Sequence, residues 1–261
     1  MFENVNPKKY LGQHFLIDEN ISKKIVNSVD FSRYNKIIEI GPGRGALTKY
    51  IIDQGEKLSL VEIDNDSVNY LKETFYNQNL YIIEKDFLKL KFEDEFRGFN
   101  KILIFGNFPY NISSQIIFKV LDNYKVIDGV TGMFQKEVAE RIVSKPNNKN
   151  YGILSVKTQL YYDVEILFDI SPNVFFPKPK VKSSIIKMVK KINPNLNCNL
   201  KLLDTIIKLS FQQRRKKIRN SLKKLDINEN IIEDSIFDLR PEQLSVNDFV
   251  RLTQKISNEP V

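Results

Sequence analysis

The tetrapeptide Asn107-Phe108-Pro109-Tyr110 combines residue types suited to one task. An Asn side-chain carbonyl and the backbone carbonyl of Phe108 can each accept a hydrogen bond, so together they can hold both hydrogens of a planar amine. Tyr110 can stack on the ring that carries the amine. The apolar run Lys101-Ile102-Leu103-Ile104-Phe105-Gly106 comes immediately before and predicts a buried strand that ends at the tetrapeptide. In an open parallel sheet, ligands bind outside the carboxyl ends of the strands. An ordinary strand-to-turn exit would use the same Asn and Pro, so the decision rests with the rest of the chain.

Three other predicted strand ends carry ligand-capable groups. The strand over 36–40 runs into Gly41-Pro42-Gly43-Arg44-Gly45, whose glycines let the backbone approach a ligand, and a helix over 46–54 follows. The spacing is G-x-G-x-G, not the G-x-G-x-x-G of dinucleotide enzymes, which disfavours a nicotinamide dehydrogenase. Glu39 stands just before it, where an acid would repel a pyrophosphate but suits a cation such as S-adenosylmethionine. Glu62, near the end of a strand over 57–63, can accept ribose hydroxyls. Asp86 closes a strand over 80–84, where its carboxylate can meet the exocyclic amine of a cofactor adenine.

These groups need a scaffold, and the hydrophobic pattern supplies one. Helices are predicted from Asp18, a suitable N-cap, and over 66–76, 113–123 and 135–144, alternating with strands that include 127–134. Strict β/α alternation implies a parallel, doubly wound sheet. Beyond Asn150 the pattern changes. Strands over 161–170 and 181–189 flank a Pro-rich loop and predict an antiparallel hairpin at one sheet edge. After the polar break at 193–198 the chain reads as helical over 200–209, 214–225 and 246–256, which places a domain boundary near Asn193.

Composition narrows the partners. The 261 residues contain one cysteine, Cys198, which excludes an internal disulfide and a multi-cysteine zinc site and is compatible with a reducing cytosol. Residues 1–16 read as neither a signal peptide nor a membrane span, and no other segment reaches spanning length, so no membrane partner is expected. The net charge of +8 is segregated: between Pro172 and Leu225 fifteen Lys or Arg stand against one acid, Asp204, leaving +14 there and −6 elsewhere. A strongly basic third on an acidic body points to a polyanion, nucleic acid foremost. Lys178, Lys180 and Lys182 beside Phe175 and Phe176 form one cationic cluster; Arg214, Arg215, Lys216, Lys217 and Arg219 form another. Contacts of this kind position RNA without reading its sequence.

Taken in order, KYLGQHFL (9–16), EIGPGRG (39–45), the Glu62 and Asp86 positions, GNFPYNIS (106–113), FFPKPKVKS (175–183) and FQQRRKKIRNSL (211–222) resemble the ribosomal RNA adenine dimethyltransferases over nearly the whole chain. The resemblance is nearest to the bacterial small-subunit (16S) type, which methylates two adjacent adenosines of a hairpin loop near the 3′ end. It implies an α/β, Rossmann-like class I fold with S-adenosylmethionine as cofactor. The catalytic domain would occupy 1–192 and a small all-α RNA-binding domain 193–261. It implies a cytoplasmic monomer acting on 16S rRNA, the small subunit or its assembly precursor. It also implies that His14, Leu16, Gly41, Gly43, Glu62, Asp86 and Asn107 border the cofactor. Asn107, Phe108, Pro109 and Tyr110 would present the target base, with Phe175 on its other face. His14 stands where the family often has Asn, and Phe108 where it often has Leu. The large-subunit methyltransferases of macrolide resistance share most of these motifs, and a non-catalytic nucleic-acid-binding protein on the same fold is a further alternative.

Overall fold

The apolar run before Asn107 becomes the middle strand of a seven-stranded sheet. In the computed structural model, which describes residues 5–76, 78, 80–194 and 196–257, that strand has Ile102, Leu103, Ile104 and Phe105 completely buried. Residues 1–4 and 195, covered by the expectations for the N-terminus and the polar break, lie outside the described residues. The strands are β1 (Phe15–Leu16), β2 (Lys36–Ile40), β3 (Leu58–Val61), β4 (Tyr81–Ile83), β5 (Ile102–Asn107), β6 (Ile127–Gln135), β7 (Tyr162–Ile170), β8 (Phe175–Phe176) and β9 (Ser183–Lys190). The large sheet has the order β4-β3-β2-β5-β6-β9-β7. From β4 through β6 every pairing is parallel, and β9 returns antiparallel to β6.

β2 leads outward through β3 to β4, whereas β5 and β6 lie on its other side. The chain therefore reverses direction between β2 and β5, the point where open α/β sheets hold ligands. The expected edge hairpin is present. Side-chain partners Asp169 with Ser184 (2.7 Å) and Glu165 with Lys187 (3.8 Å) run in opposite senses along β7 and β9. Between these strands the sequence reading missed β8, which pairs antiparallel with β1 in a separate small sheet, Phe15 opposite Phe176 and Leu16 opposite Phe175.

The chain forms two compact units: Met1–Ala139 with Glu165–Lys190, and Glu140–Val164 with Lys191–Val261. The expected boundary near Asn193 lies close to the last crossing, but the division into 1–192 and 193–261 differs from the structure, because 140–164 packs with the C-terminal helices. Helix Ile153–Tyr161, to which the sequence reading gave no element, contributes Val156 and Leu160 to a core with Leu203, Ile206 and Ile207 of helix Leu200–Gln212. These last three positions recur at helical spacing, and Asn199 caps the helix by accepting from the Leu202 amide at 3.1 Å. The helix expected over 214–225 does not form as such. Residues 213–216 form a turn, closed by Lys216 N to Gln213 O at 2.7 Å; Lys217 is extended, and only Ile218–Ser221 is helical. A helix there would stack Arg214 over Lys217 and Arg215 over Arg219, like charges on one face. Among the described residues, no helix is long and apolar enough to cross a membrane.

Candidate active site

Four strand ends and the N-terminal segment enclose one cavity in the first unit. Its walls include His14, Leu16, Gly41, Gly43, Glu62, Asp86, Asn107, Phe108, Pro109 and Tyr110, so ten expected site residues meet. After β2, Gly41, Gly43 and Gly45 all have positive φ (62°, 55° and 72°), which L side chains rarely adopt, and a Cβ on Gly43 would lie 2.8 Å from the Phe15 ring. The turn turns its amides inward, and Gly43 N donates to Glu62 Oε2 at 3.1 Å.

Glu62 is buried at the end of β3. Its Oε1 accepts from the amides of Ile63 and Asp64, both at 2.9 Å, so Oε2 is the atom with capacity left for a hydroxyl. Burial pushes its carboxyl above the usual range, and the three backbone donors only partly offset this. Asp86 caps the turn Phe87–Lys89 through Oδ1, which accepts from Leu88 N at 2.9 Å, and its half-buried carboxylate reaches the cavity wall. Glu39 also lines the cavity, with Oε2 accepting from Thr48 Oγ1 at 2.8 Å; its complete burial pushes it up to about 8, and the nearby Glu62 adds to the shift.

Asn107 closes β5 with a defined orientation. Its Nδ2 donates to the carbonyl of His14 at 2.8 Å, so the remaining amide atom, Oδ1, is an acceptor that takes no bond from the described residues. The Phe108 carbonyl is likewise unclaimed among them. Its ring is buried edge-on against Phe134 at 5.1 Å, in space kept open by Gly132, where a Cβ would lie 2.2 Å from it. Phe108 thus lines the cavity while its ring is buried against Phe134. Tyr110 is held at its hydroxyl by buried Ser183 Oγ (2.5 Å), and its ring lies 5.3 Å from that of His14. Burial raises the phenol above its ordinary range against the pull of the Ser183 bond, so it stays neutral. His14 is fixed in turn: Nδ1 lies 2.6 Å from the Pro177 carbonyl, which can only accept, so Nδ1 carries the proton.

Phe175 departs from its expected place. It is 3% exposed, packs in the core opposite Leu16, and is absent from the cavity wall, whereas its neighbour Phe176 is 51% exposed. Alternation along β8 sends one ring to each face, and the apolar core took Phe175. The sequence reading also missed a clasp over the N-terminal segment. Lys8 Nζ pairs with Asp64 and, at 2.8 Å, with Asp66; Gln13 Nε2 donates to Asp64 Oδ2 at 3.0 Å. Arg44 adds a bond to the Val5 carbonyl while its guanidinium lies over Phe15. Burial works against the charge on Asp64, but Lys8, Gln13 and Ser67 together hold its carboxyl below the usual range. The lone signal in the sequence was the row of polar residues within KKYLGQHFL.

The cationic clusters are unequal. Lys178, Lys180 and Lys182, in the first unit, are exposed, and no described residue pairs with their ammonium groups. In the second unit Arg214 is occupied, donating to the carbonyls of Lys149 (2.6 Å) and Asn148 (3.1 Å) and lying 3.6 Å from Glu242. Lys217 and Arg219 share Asp238 at 2.9 and 2.8 Å. Arg215 and Lys216 keep unpaired charges among the described residues.

An open parallel sheet with its glycine turn, acids at successive strand ends and an amide at the fourth defines a class I S-adenosylmethionine-dependent methyltransferase. The donor set fits that cofactor: an acceptor for a ribose hydroxyl on Glu62, another for an amine on Asp86, and Glu39 within reach of a cation. Residues 4–256 match the family model described as ribosomal RNA adenine dimethylase, and the chain belongs to that family. It is 50% identical over 259 residues to the ribosomal RNA small subunit methyltransferase A of Flavobacterium johnsoniae, with 99% of each chain covered. The protein of the same name from Phocaeicola vulgatus is 49% identical over 253 residues, covering 97% of this chain and 90% of that one. Among solved structures, a dimethyladenosine transferase from Plasmodium falciparum superposes with a TM-score of 0.82 at 26% identity, covering 94% of this chain and 98% of that one. The 23S rRNA methyltransferase ErmE shares the fold, with a TM-score of 0.68 at 24% identity over 93% and 99% of the two chains.

Proposed function

We propose that this enzyme dimethylates N6 of two adjacent adenosines in a hairpin loop near the 3′ end of 16S rRNA, within the small ribosomal subunit or its assembly precursor, as a cytoplasmic monomer. Choosing the small over the large subunit is supported by the names of relatives that are 50% and 49% identical to it over 99% and 90% of their own length. The observation that carries the chemistry is the pair of unclaimed acceptors, Asn107 Oδ1 and the Phe108 carbonyl, at the end of β5.

Adenine N6 is a weak nucleophile because its lone pair is delocalised into the ring. Two fixed acceptors on its hydrogens favour a pyramidal nitrogen as positive charge develops there, so oriented dipoles take the place of a general base. The proton then leaves to solvent. When bound, S-adenosylmethionine supplies an electrophilic methyl group on a cationic sulfur, held by His14, Leu16, Gly41, Gly43, Glu62, Asp86 and Asn107. The neutral Tyr110 ring, pinned by Ser183, offers a stacking face that places the amine for attack. With Phe175 withdrawn, Phe176 beside Lys178, Lys180 and Lys182 provides the exposed aromatic of that loop. An adenine in a loop leaves its stack more cheaply than one in a duplex.

The test is to offer purified enzyme and labelled S-adenosylmethionine to undermethylated small subunits and to large-subunit RNA, then map dimethyladenosine by reverse-transcription stops. Two methyl groups on N6 obstruct Watson–Crick pairing, so a pair of stops near the 3′ end of 16S rRNA is expected. Label confined to large-subunit RNA would refute the assignment.

A further inference from the structure

Arg214 opens the basic cluster, yet its guanidinium faces the protein. It donates to two successive carbonyls, Asn148 and Lys149, and lies beside Glu242, whose own carbonyl accepts from Asn147 N at 2.7 Å. Asn147 takes a positive φ of 66°, so the loop 145–150 is bent back at that residue, and Arg214 and Glu242 together hold it. The loop lies about 65 residues from the turn in sequence and against it in space.

We propose that Arg214 is a strut, and that the face it creates is a composite phosphate-binding surface made of Lys145 and Lys149 from the loop with Arg215 and Lys216 from the turn. All four are exposed, and none has a charge partner among the described residues, whereas the neighbouring Lys217 and Arg219 share Asp238. Cations of two loops held side by side match the spaced charges of an RNA backbone, to which lysine binds as a mobile point charge and arginine as a fork. Asn147 and Asn148 line a shallow groove along the same loop and add amide donors for phosphate or ribose oxygens. This surface rests on the RNA reading above and deepens it, because neither Lys145 nor Lys149 belongs to the basic third of the sequence.

The test titrates a fluorescent small-subunit RNA fragment across salt with Lys145→Gln/Lys149→Gln, Arg215→Gln/Lys216→Gln and Arg214→Gln enzymes, with thermal midpoints as the control for folding. Each lost phosphate contact lowers the slope of log K against log salt by about 0.7–0.9, so either double variant should lower it by about 1.4–1.8. An unchanged slope for the lysine pair, with a reduced slope for Arg215→Gln/Lys216→Gln, overturns the composite surface and spares the RNA reading. Unchanged slopes in both count against RNA on this face altogether, as would tight binding to phosphatidylglycerol vesicles without an RNA response. In Arg214→Gln the amides of 145–150 should exchange hydrogen faster; unaltered exchange would overturn the strut, and the lysine pair remains decisive if that variant does not fold.

Discussion

Glu39→Gln isolates one buried acid. Gln keeps an oxygen to accept from Thr48 Oγ1 but cannot ionise. In the wild type, burial raises the carboxyl from 4.5 to about 8, so the fold favours the neutral form. Since the folded value is the higher one, the stability that this group contributes is full below about pH 4.5 and is lost as pH rises through about 8. Between about pH 5 and about pH 7.5 the two values translate into a loss on the order of 3 kcal/mol. Urea unfolding at these two pH values should show the wild type losing that much more stability than Glu39→Gln over the interval. Glu62, also raised, titrates in both proteins and largely cancels in the difference. Equal losses would mean that Glu39 is not held neutral. Because Glu39 lines the cavity, calorimetry near pH 7 should also detect partial proton release on S-adenosylmethionine binding by the wild type and less by the variant.

Asn107→Ala should lower turnover about 10²–10³-fold, the scale for losing one oriented dipole, with RNA affinity little changed; near-normal single-turnover rates would remove its role. Tyr110→Phe, which loses the Ser183 bond but keeps the ring, should dock the target base much better than Tyr110→Ala, measured by the fluorescence change of 2-aminopurine in place of the target base. Phe175→Ala should cost about 3–5 kcal/mol in chemical denaturation as a core deletion, while Phe176→Ala stays within about 0.5 kcal/mol and weakens base docking instead. The folded value of Asp64 is depressed, so its stabilising contribution is present above its unfolded value near ~3.9 and lost as pH falls through the folded one. Asp64→Asn should therefore flatten the acid limb of a circular-dichroism titration.

The parallel half of the sheet was legible because buried strands and amphipathic helices have different periods, and the four ligand-bearing strand ends followed from it. What escaped were features decided by tertiary contact. Phe175 and Phe176 are identical in type, and only the partner strand β1 determines which ring turns inward. Arg214 reads as one more cation until the loop 145–150 is packed against it. Helix Ile153–Tyr161 has a weakly amphipathic pattern, since both the polar Thr158 and the apolar Val156 are buried, so its period gave little signal. Lys8 and Asp64 are 56 residues apart, and the polar residues of KKYLGQHFL do not by themselves say which acid Lys8 meets.

The passage of the chain between its two units three times sets an order of assembly during synthesis. Tyr151, Val156 and Leu160 leave the ribosome about 40 to about 50 residues before Leu203 and about 90 to about 100 before Phe249, both of them partners in the same core. Those apolar side chains must wait while β7 and β9 are made and join the sheet. The first unit can thus close while the second still lacks most of its core, and a fragment starting at Asn193 would have the reverse defect, a helical core missing the wall that 140–164 supplies.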